Sequence, residues 1–206
     1  KPIKYERVGD TTIGIDFGLK TYLTISNGQE IQSPEFFKSN LKAIKSLNRQ
    51  LSKKKKGSKT RRKALKTLQR IHIDISNKRN DFEWKLAHEL CKNHSFLAIE
   101  DLNIEAMKRL WGRKISDLSF SSFVLKLEQV ANKYNTVVQK VDRWYASSKT
   151  CTCGVVNKEL KLSDREWACP SCGKIHSRDL LASNNILSEG IRLYRTKCET
   201  NVQLAV

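Results

Sequence analysis

Two kinds of residue in this 206-residue chain have types and spacings that could do chemistry. They are paired cysteines, and single acids set against apolar runs. Cys151 and Cys153 form one pair in "TCTCG"; Cys169 and Cys172 form the other in "CPSCG". Paired thiolates chelate a borderline-soft cation, and four sulfurs around zinc make a closed structural site. The chain's six cysteines could instead form disulfides. The paired spacing, the charge and the lack of a visible signal peptide favour a reducing compartment with a metal site. Two residues between cysteines let both sulfurs turn onto one ion; the single residue between Cys151 and Cys153 makes that turn harder. If Cys153 fails as a ligand, His176 is a substitute, although a lone histidine can equally face solvent.

Asp16 stands inside the strand-like pattern "GIDFG", Glu100 closes the apolar run "FLAIE", and Asp179 opens the helical pattern behind the second cysteine pair. A carboxylate buried alone is costly. Two strands and a helix start can converge, and three acids that do so repel one another until a divalent cation relieves them. Magnesium suits carboxylate sites that keep open positions for phosphate oxygens. Two such ions, with manganese as a stand-in, can activate a water and stabilise the leaving oxygen of a phosphodiester. Each acid also has a bland reading. Asp16 could be a strand-edge charge, Glu100 an exposed strand end beside Asp101, and Asp179 a helix cap or dipole partner.

The elements that must position these residues are read from periodicity. "TTIGIDFGLKTYLTISNGQEI" predicts a hairpin or meander turning at Ser26 to Gly28. Leu41, Ile44, Leu47 and Leu51 predict a helix, and Leu68, Ile71, Ile75, Phe82, Leu86 and Leu90 a second, longer one. Between them runs "SKKKKGSKTRRK", the basic tip of a helical hairpin. "SFLAIEDL" predicts a buried strand and "TVVQKVD" another. "SDLSFSSFVLKLEQVANKYN" predicts a helix capped by Ser116 or Asp117. A helix follows the cysteines from about Arg178 to Glu189. "MKRLWGRK", from Met107 to Lys114, reads as an apolar–basic linker and a gate near the site. Strands alternate with helices, so the class is α/β with one sheet.

The chain carries 39 Lys+Arg against 21 Asp+Glu, a formal charge of +18, and a polyanion is the natural partner. Nucleic acid leads over an anionic membrane, and no apolar run approaches the ~20 residues of a membrane span. Lys53, Lys54, Lys55, Lys56, Lys59, Arg61, Arg62 and Lys63 at the tip suit phosphate contacts, which position a duplex or strand without reading its sequence. The alternative is a solvated turn. Trp84, Trp111, Trp144, Tyr145 and Trp167 could stack on bases. Of these, Trp84 is expected in the core, with Trp144 and Tyr145 packing the cysteine segment onto the sheet. Cys91 is expected as a buried thiol.

Taken together, "GIDFGLK", "AIEDLNIEAMKR", "DRWYASSKTC", "NKELKLSDREWACPSCG" and "RDLLASNNIL" resemble the TnpB family from Thr12 to about Tyr194. These are transposon-associated, RNA-guided DNA nucleases related to the type V CRISPR effectors. The resemblance implies an RNase H-like (RuvC-type) mixed sheet flanked by helices, with a basic helical hairpin insertion and a zinc-ribbon-like insert. The implied divisions are 1–145 for the first part of the nuclease domain, with the hairpin at about 35–92, then 146–177 for the insert and 178–206 for the last motif and tail. Guide RNA and target DNA are the implied partners, and a prokaryotic cytoplasm, acting at the nucleoid, the implied place. The opening "KPIKYERVGD" lacks a Met, so the family's N-terminal recognition region is expected to be missing.

The resemblance further implies that Asp16 bridges two magnesium ions while Glu100 and Asp179 each complete one shell, leaving 5′-phosphate and 3′-hydroxyl ends. Asp101 is expected on the other strand face. The chain departs from the family pattern in four places. The first cysteine pair is C-x-C rather than C-x-x-C. Ser177 stands where the family often has Asp, Leu181 where it favours Asn, and Ala146 where it commonly has Pro. These changes bear on the support around the metal ligands, and they keep open a rival reading, an RNA-guided DNA binder that cuts poorly or not at all. A second rival, a DNA strand-transfer enzyme with a similar acid triad, is disfavoured by the insert directly before the last acid.

Overall fold

The computed structural model describes residues 4–161 and 163–203. Its sheet grows out of alternation. In β1 (Thr11–Phe17), Ile13, Ile15 and Phe17 enter one core, which leaves Gly14 and Asp16 to the opposite face. In β4 (His94–Glu100), Leu97 and Ile99 join that core, while Phe96 and Ala98 enter a second one. β2 (Thr21–Ile25) and β3 (Glu30–Gln32) extend β1 as an antiparallel meander, and β4 and then β5 (Val137–Val141) lie parallel to it, in the order β3-β2-β1-β4-β5.

Helices cover both faces. On the first, Leu86, Ala87 and Leu90 of α2 (Lys59–Asn93) and Phe120, Phe123 and Leu127 of α4 (Phe120–Tyr134) pack on the β1 and β4 isoleucines. Cys91 is fully buried there, and burial pushes its thiol up to about 12. On the second face, Ile186 of α5 (Arg178–Gln203) meets Phe96, Ala98 and Val141. Between β5 and α5 the chain makes a small unit around a two-stranded hairpin of β6 (Glu166–Ala168) and β7 (Ile175–Ser177).

Several expectations change. Ser116 and Asp117 cap no helix that follows them, because α3 (Ile104–Leu118) runs through both and stops at Ser119, whose left-handed backbone (φ 51°) separates it from α4. Asp117 instead accepts hydrogen bonds from the Phe37 and Lys38 amides at 3.0 and 3.2 Å, capping α1 (Phe36–Ser52) from afar, and pairs with Arg79 at 2.9 Å. "MKRLWGRK" is helical rather than a linker, with a break in the helical dihedrals at Trp111 (φ −128°, ψ 19°). The helix after the cysteines continues beyond Glu189 to Gln203. The basic tip shortens, because Ser58 caps α2 through the Arg61 amide and places Lys59, Arg61, Arg62 and Lys63 in its first turns. Trp144 packs nothing onto the sheet; it is 84% exposed. Tyr145 does pack, against the core under α5.

Candidate functional site

β1 and β4 are in parallel register, with Gly14 opposite Ala98 and Ile15 opposite Ile99. One step further along each strand come Asp16 and Glu100, on the face that α5 covers. The third acid arrives from that same face, because Asp179 sits in the first turn of α5. All three line one open cavity of about 740 Å³. Burial above all, and then the charges of Glu100 and Asp179, push the Asp16 carboxyl up to about 7 against the opposing pull of Arg178 and Arg165. Burial, then Asp101, pushes Glu100 to about 7 as well. Carboxyls that resist ionising together in a concave site make a site that favours a cation. Asp101 turns away and pairs with Arg143.

The close approach of α5 depends on absent side chains. A Cβ on Gly14 would stand 2.0 Å from the Ser183 carbonyl oxygen and 2.7 Å from the Leu187 nitrogen; one on Gly190 would stand 2.5 Å from Ala98 Cβ. Glycine at both positions lets the helix lie directly on β1 and β4. Its start is then clamped to the cysteine segment. Asn185 Nδ2 donates to the carbonyls of Ser147 and Thr150, both at 2.7 Å. The Arg178 amide donates to the Arg165 carbonyl at 2.8 Å, and the Arg178 guanidinium to the Lys161 carbonyl at 3.0 Å. Arg165 Nη1 donates to Asp179 Oδ2 at 2.8 Å.

Behind β7 the four cysteine sulfurs converge, all within 4.8 Å of one another. Cys151 and Cys172, and Cys153 and Cys169, approach to 3.6 Å. Sulfurs at 2.3 Å from one tetrahedral zinc stand about 3.8 Å apart, so the set fits that ion. The single residue between Cys151 and Cys153 is no obstacle. Each loop closes through a glycine amide on the carbonyl of its leading cysteine, Gly154 to Cys151 and Gly173 to Cys169, both at 2.9 Å, and both glycines have positive φ. His176 is therefore not needed as a replacement. Its Nε2 lies 3.0 Å from Cys151 Sγ, and its ring packs on Trp167 with centroids 5.1 Å apart. The Cys153 backbone amide foremost lowers the Cys151 thiol, toward the thiolate that binds metal.

Residues 2–110 match the model of the OrfB_IS605 family, described as "Probable transposase", and residues 120–186 match that of the "Cas12f1-like, TNB domain". The chain belongs to the OrfB_IS605 family. A Streptomyces pristinaespiralis protein named "Putative RNA-guided DNA endonuclease" is 36% identical over 182 residues, which are 87% of this chain and 45% of that protein. A TnpB-like protein of Acanthamoeba polyphaga mimivirus is 32% identical over 196 residues, 87% of this chain and 37% of its own. The chain thus spans less than half the length of these curated relatives. Among solved structures, a CRISPR-Cas12f ternary complex superposes with a TM-score of 0.60 at 21% identity, covering 91% of this chain and 40% of that one. A Cas12f1–sgRNA–target DNA complex gives 0.56 at 23%, covering 87% and 50%. At such identities these two likenesses speak for the fold.

In this OrfB_IS605 member the structure brings together the three acids in one group and the four cysteines in another. The basic tip joins neither. It lies at the start of α2, a helix of 35 residues, about 52 Å long, whose other end leads into β4. Arg61 there turns inward to the carbonyls of Leu51 and Lys54 at the end of α1; the other seven cations are exposed or half-buried. Sequence reasoning missed Arg165 and Lys149 as wall residues of the cavity. Arg165 reaches the cavity through the β6–β7 pairing of Glu166 with Ser177, which sets the preceding residue beside the start of α5 and which no local pattern signals. Among the described residues no helix is long and apolar enough to cross a membrane.

Proposed function

We propose that this chain is the catalytic portion of an RNA-guided DNA endonuclease that hydrolyses phosphodiesters with divalent metal ions. What carries the reading is the meeting of Asp16, Glu100 and Asp179, from two neighbouring strands and a helix start, in one cavity where burial above all pushes the Asp16 and Glu100 carboxyls up to about 7. The sheet order, with an antiparallel meander followed by two parallel strands, supports an RNase H-like, RuvC-type domain. Kinship with proteins named for RNA-guided cleavage supports the substrate class.

In this reading the three carboxylates hold one or two magnesium or manganese ions. When bound, the metal supplies an activated water and charge stabilisation at the scissile phosphate. The protein's own work is placement. Asp16 and Glu100 are fixed side by side by strand register. Arg165 orients Asp179, and Lys149, Arg165 and Arg178 offer cationic wall to the phosphates on either side. Zinc at Cys151, Cys153, Cys169 and Cys172 braces the insert, residues 146–177, which delivers Asp179. Guide RNA and target DNA are the partners, with the basic tip a phosphate contact, and the setting is the prokaryotic cytoplasm.

The test is cleavage of end-labelled single-stranded DNA in magnesium, comparing the chain with Asp179→Ala, and of a guided target by the full-length protein with its RNA. Cutting that disappears in the variant is expected. Tight binding without turnover in both settings would overturn the nuclease reading in favour of a guided binder; 3′-end joining would mark a strand-transfer enzyme.

A further inference from the structure

The four tryptophans and Tyr145 have the chemistry to stack on bases, and burial separates them. Trp167 lies inside the small insert core, 7% exposed. Trp84 packs against the main core, with Lys126 Nζ 5.8 Å from its ring centroid. Tyr145 also lines the acid cavity, but it is half-buried there, with its ring packed against the core beneath α5. Trp144 is exposed but is not among the residues lining the acid cavity, whereas Trp111, 39% exposed, lines it together with Asp16, Glu100 and Asp179.

Trp111 has company that makes its wall distinct. Met107, one helical turn earlier, lines the same cavity, as i and i+4 on one face of α3. Phe17 and Leu19 add apolar surface, while the remaining wall carries Lys149, Arg165 and Arg178. α3 leaves its helical dihedrals at Trp111 and nowhere else along its described length. The cavity therefore offers three chemistries side by side: acids that favour cations, a cationic rim that favours phosphates, and an apolar wall ending in an accessible indole. A nucleotide has the complementary parts, and about 740 Å³ holds one with room for its neighbours' phosphates.

We propose that Trp111 is a base-stacking residue that holds the face of an unpaired nucleobase beside the phosphodiester placed at Asp16, Glu100 and Asp179. A base inside a duplex has both faces covered by its neighbours, so the strand engaged here is single-stranded. Stacking tolerates any base, so the contact fixes position along the strand without reading sequence. The inference rests on the nuclease reading for the nature of the polymer.

Its test is binding, which is separable from cutting. Fluorescence anisotropy of a short labelled oligothymidine strand, with calcium in place of magnesium, compares the chain with Trp111→Ala, Trp111→Phe and Leu110→Ala. Leu110 is 71% exposed on the same helix but does not line the cavity. Trp111→Ala is expected to weaken binding about tenfold, with Trp111→Phe and Leu110→Ala near the parent. An abasic site scanned along the strand should find one position that weakens the parent by the same factor and leaves the Trp111→Ala chain unaffected. Independent losses at every position, equal binding by Trp111→Ala, or no binding by the parent would overturn the proposal. Absence of cleavage by the chain and by the full-length protein with its RNA would sink the nuclease reading and leave the stacking result intact; Asp179-dependent cleavage without the base–indole coupling would sink the stacking alone.

Discussion

Arg165 and Asp179 meet at 2.8 Å although one precedes β6 and the other opens α5. Their side chains are 48% and 29% exposed, so the pair adds less than about 1 kcal/mol to the fold. Its effect is local, on the orientation of one carboxylate. Arg165→Ala is expected to leave Tm nearly unchanged while cleavage falls by about tenfold or more. Thermal melting and initial rates measured on the same preparation check this; a large loss of Tm would show that the arginine is instead holding the insert together.

The acid cluster stores a cost that a bound cation would relieve. Asp16 shifts from 3.8 to about 7 on folding. A carboxyl whose pKa is raised by folding contributes stability below its unfolded value and loses that contribution as pH climbs through the folded one. In chelator, the chain is expected to lose on the order of a few kcal/mol at this residue between those two values. Asp16→Asn should flatten that part of the Tm-against-pH curve and be the more stable chain above pH 7, and magnesium should narrow the difference. Parallel curves for the two chains in chelator would refute the account.

Four converged sulfurs lead to a stoichiometric expectation. The chain should purify with one zinc, and Cys153→Ala should lose it as readily as Cys169→Ala, despite the short spacing of the first pair. His176→Ala should keep the ion. Metal content by elemental analysis decides the matter; retention by Cys153→Ala with loss by His176→Ala would reverse the ligand assignment. Because β7 runs directly into α5, zinc removal should also lower cleavage.

Gly14 tests how closely α5 must lie. Gly14→Ala forces a Cβ against the backbone of Ser183 and Leu187, and a cost of about 1–3 kcal/mol is expected together with a fall in cleavage, since the helix carrying Asp179 must move. Gly112→Ala is the matched control, having nothing within 4 Å of the added carbon. It should change stability by no more than about 1 kcal/mol, toward a more stable helix. Equal effects at the two positions would show that the close approach is not what matters.

Much of this molecule was legible from local pattern. Alternation marked β1, short apolar stretches marked β4 and β5, period near 3.6 marked α1 and α2, and the placement of Asp16, Glu100 and Asp179 at strand and helix positions singled them out before any geometry. Boundaries and caps were less legible. Ser116 and Asp117 look like a helix start because their side chains can cap one, yet the amides Asp117 satisfies belong to α1, across the fold. Such a partner leaves no trace in neighbouring residues. The extension of α5 past Gly190 was hidden for a related reason, since that glycine reads as a helix stop and is retained because Ala98 leaves no room for a side chain.

By itself the sequence determined which residues had the means to bind cations, which strands would bury one face, and that a polyanion suits a charge of +18. Residue type and spacing along the chain are local properties, and short-range physics reads them. The tertiary structure alone decided that the C-x-C pair closes onto the second pair, that Arg165 reaches Asp179, that Trp111 rather than Trp84, Trp144 or Trp167 joins the acids, and that Arg61 faces inward from the tip. Each of these depends on where α5, α3 and the β6–β7 hairpin settle against the sheet. That is set by long-range packing and close backbone approach, which no window of the sequence contains.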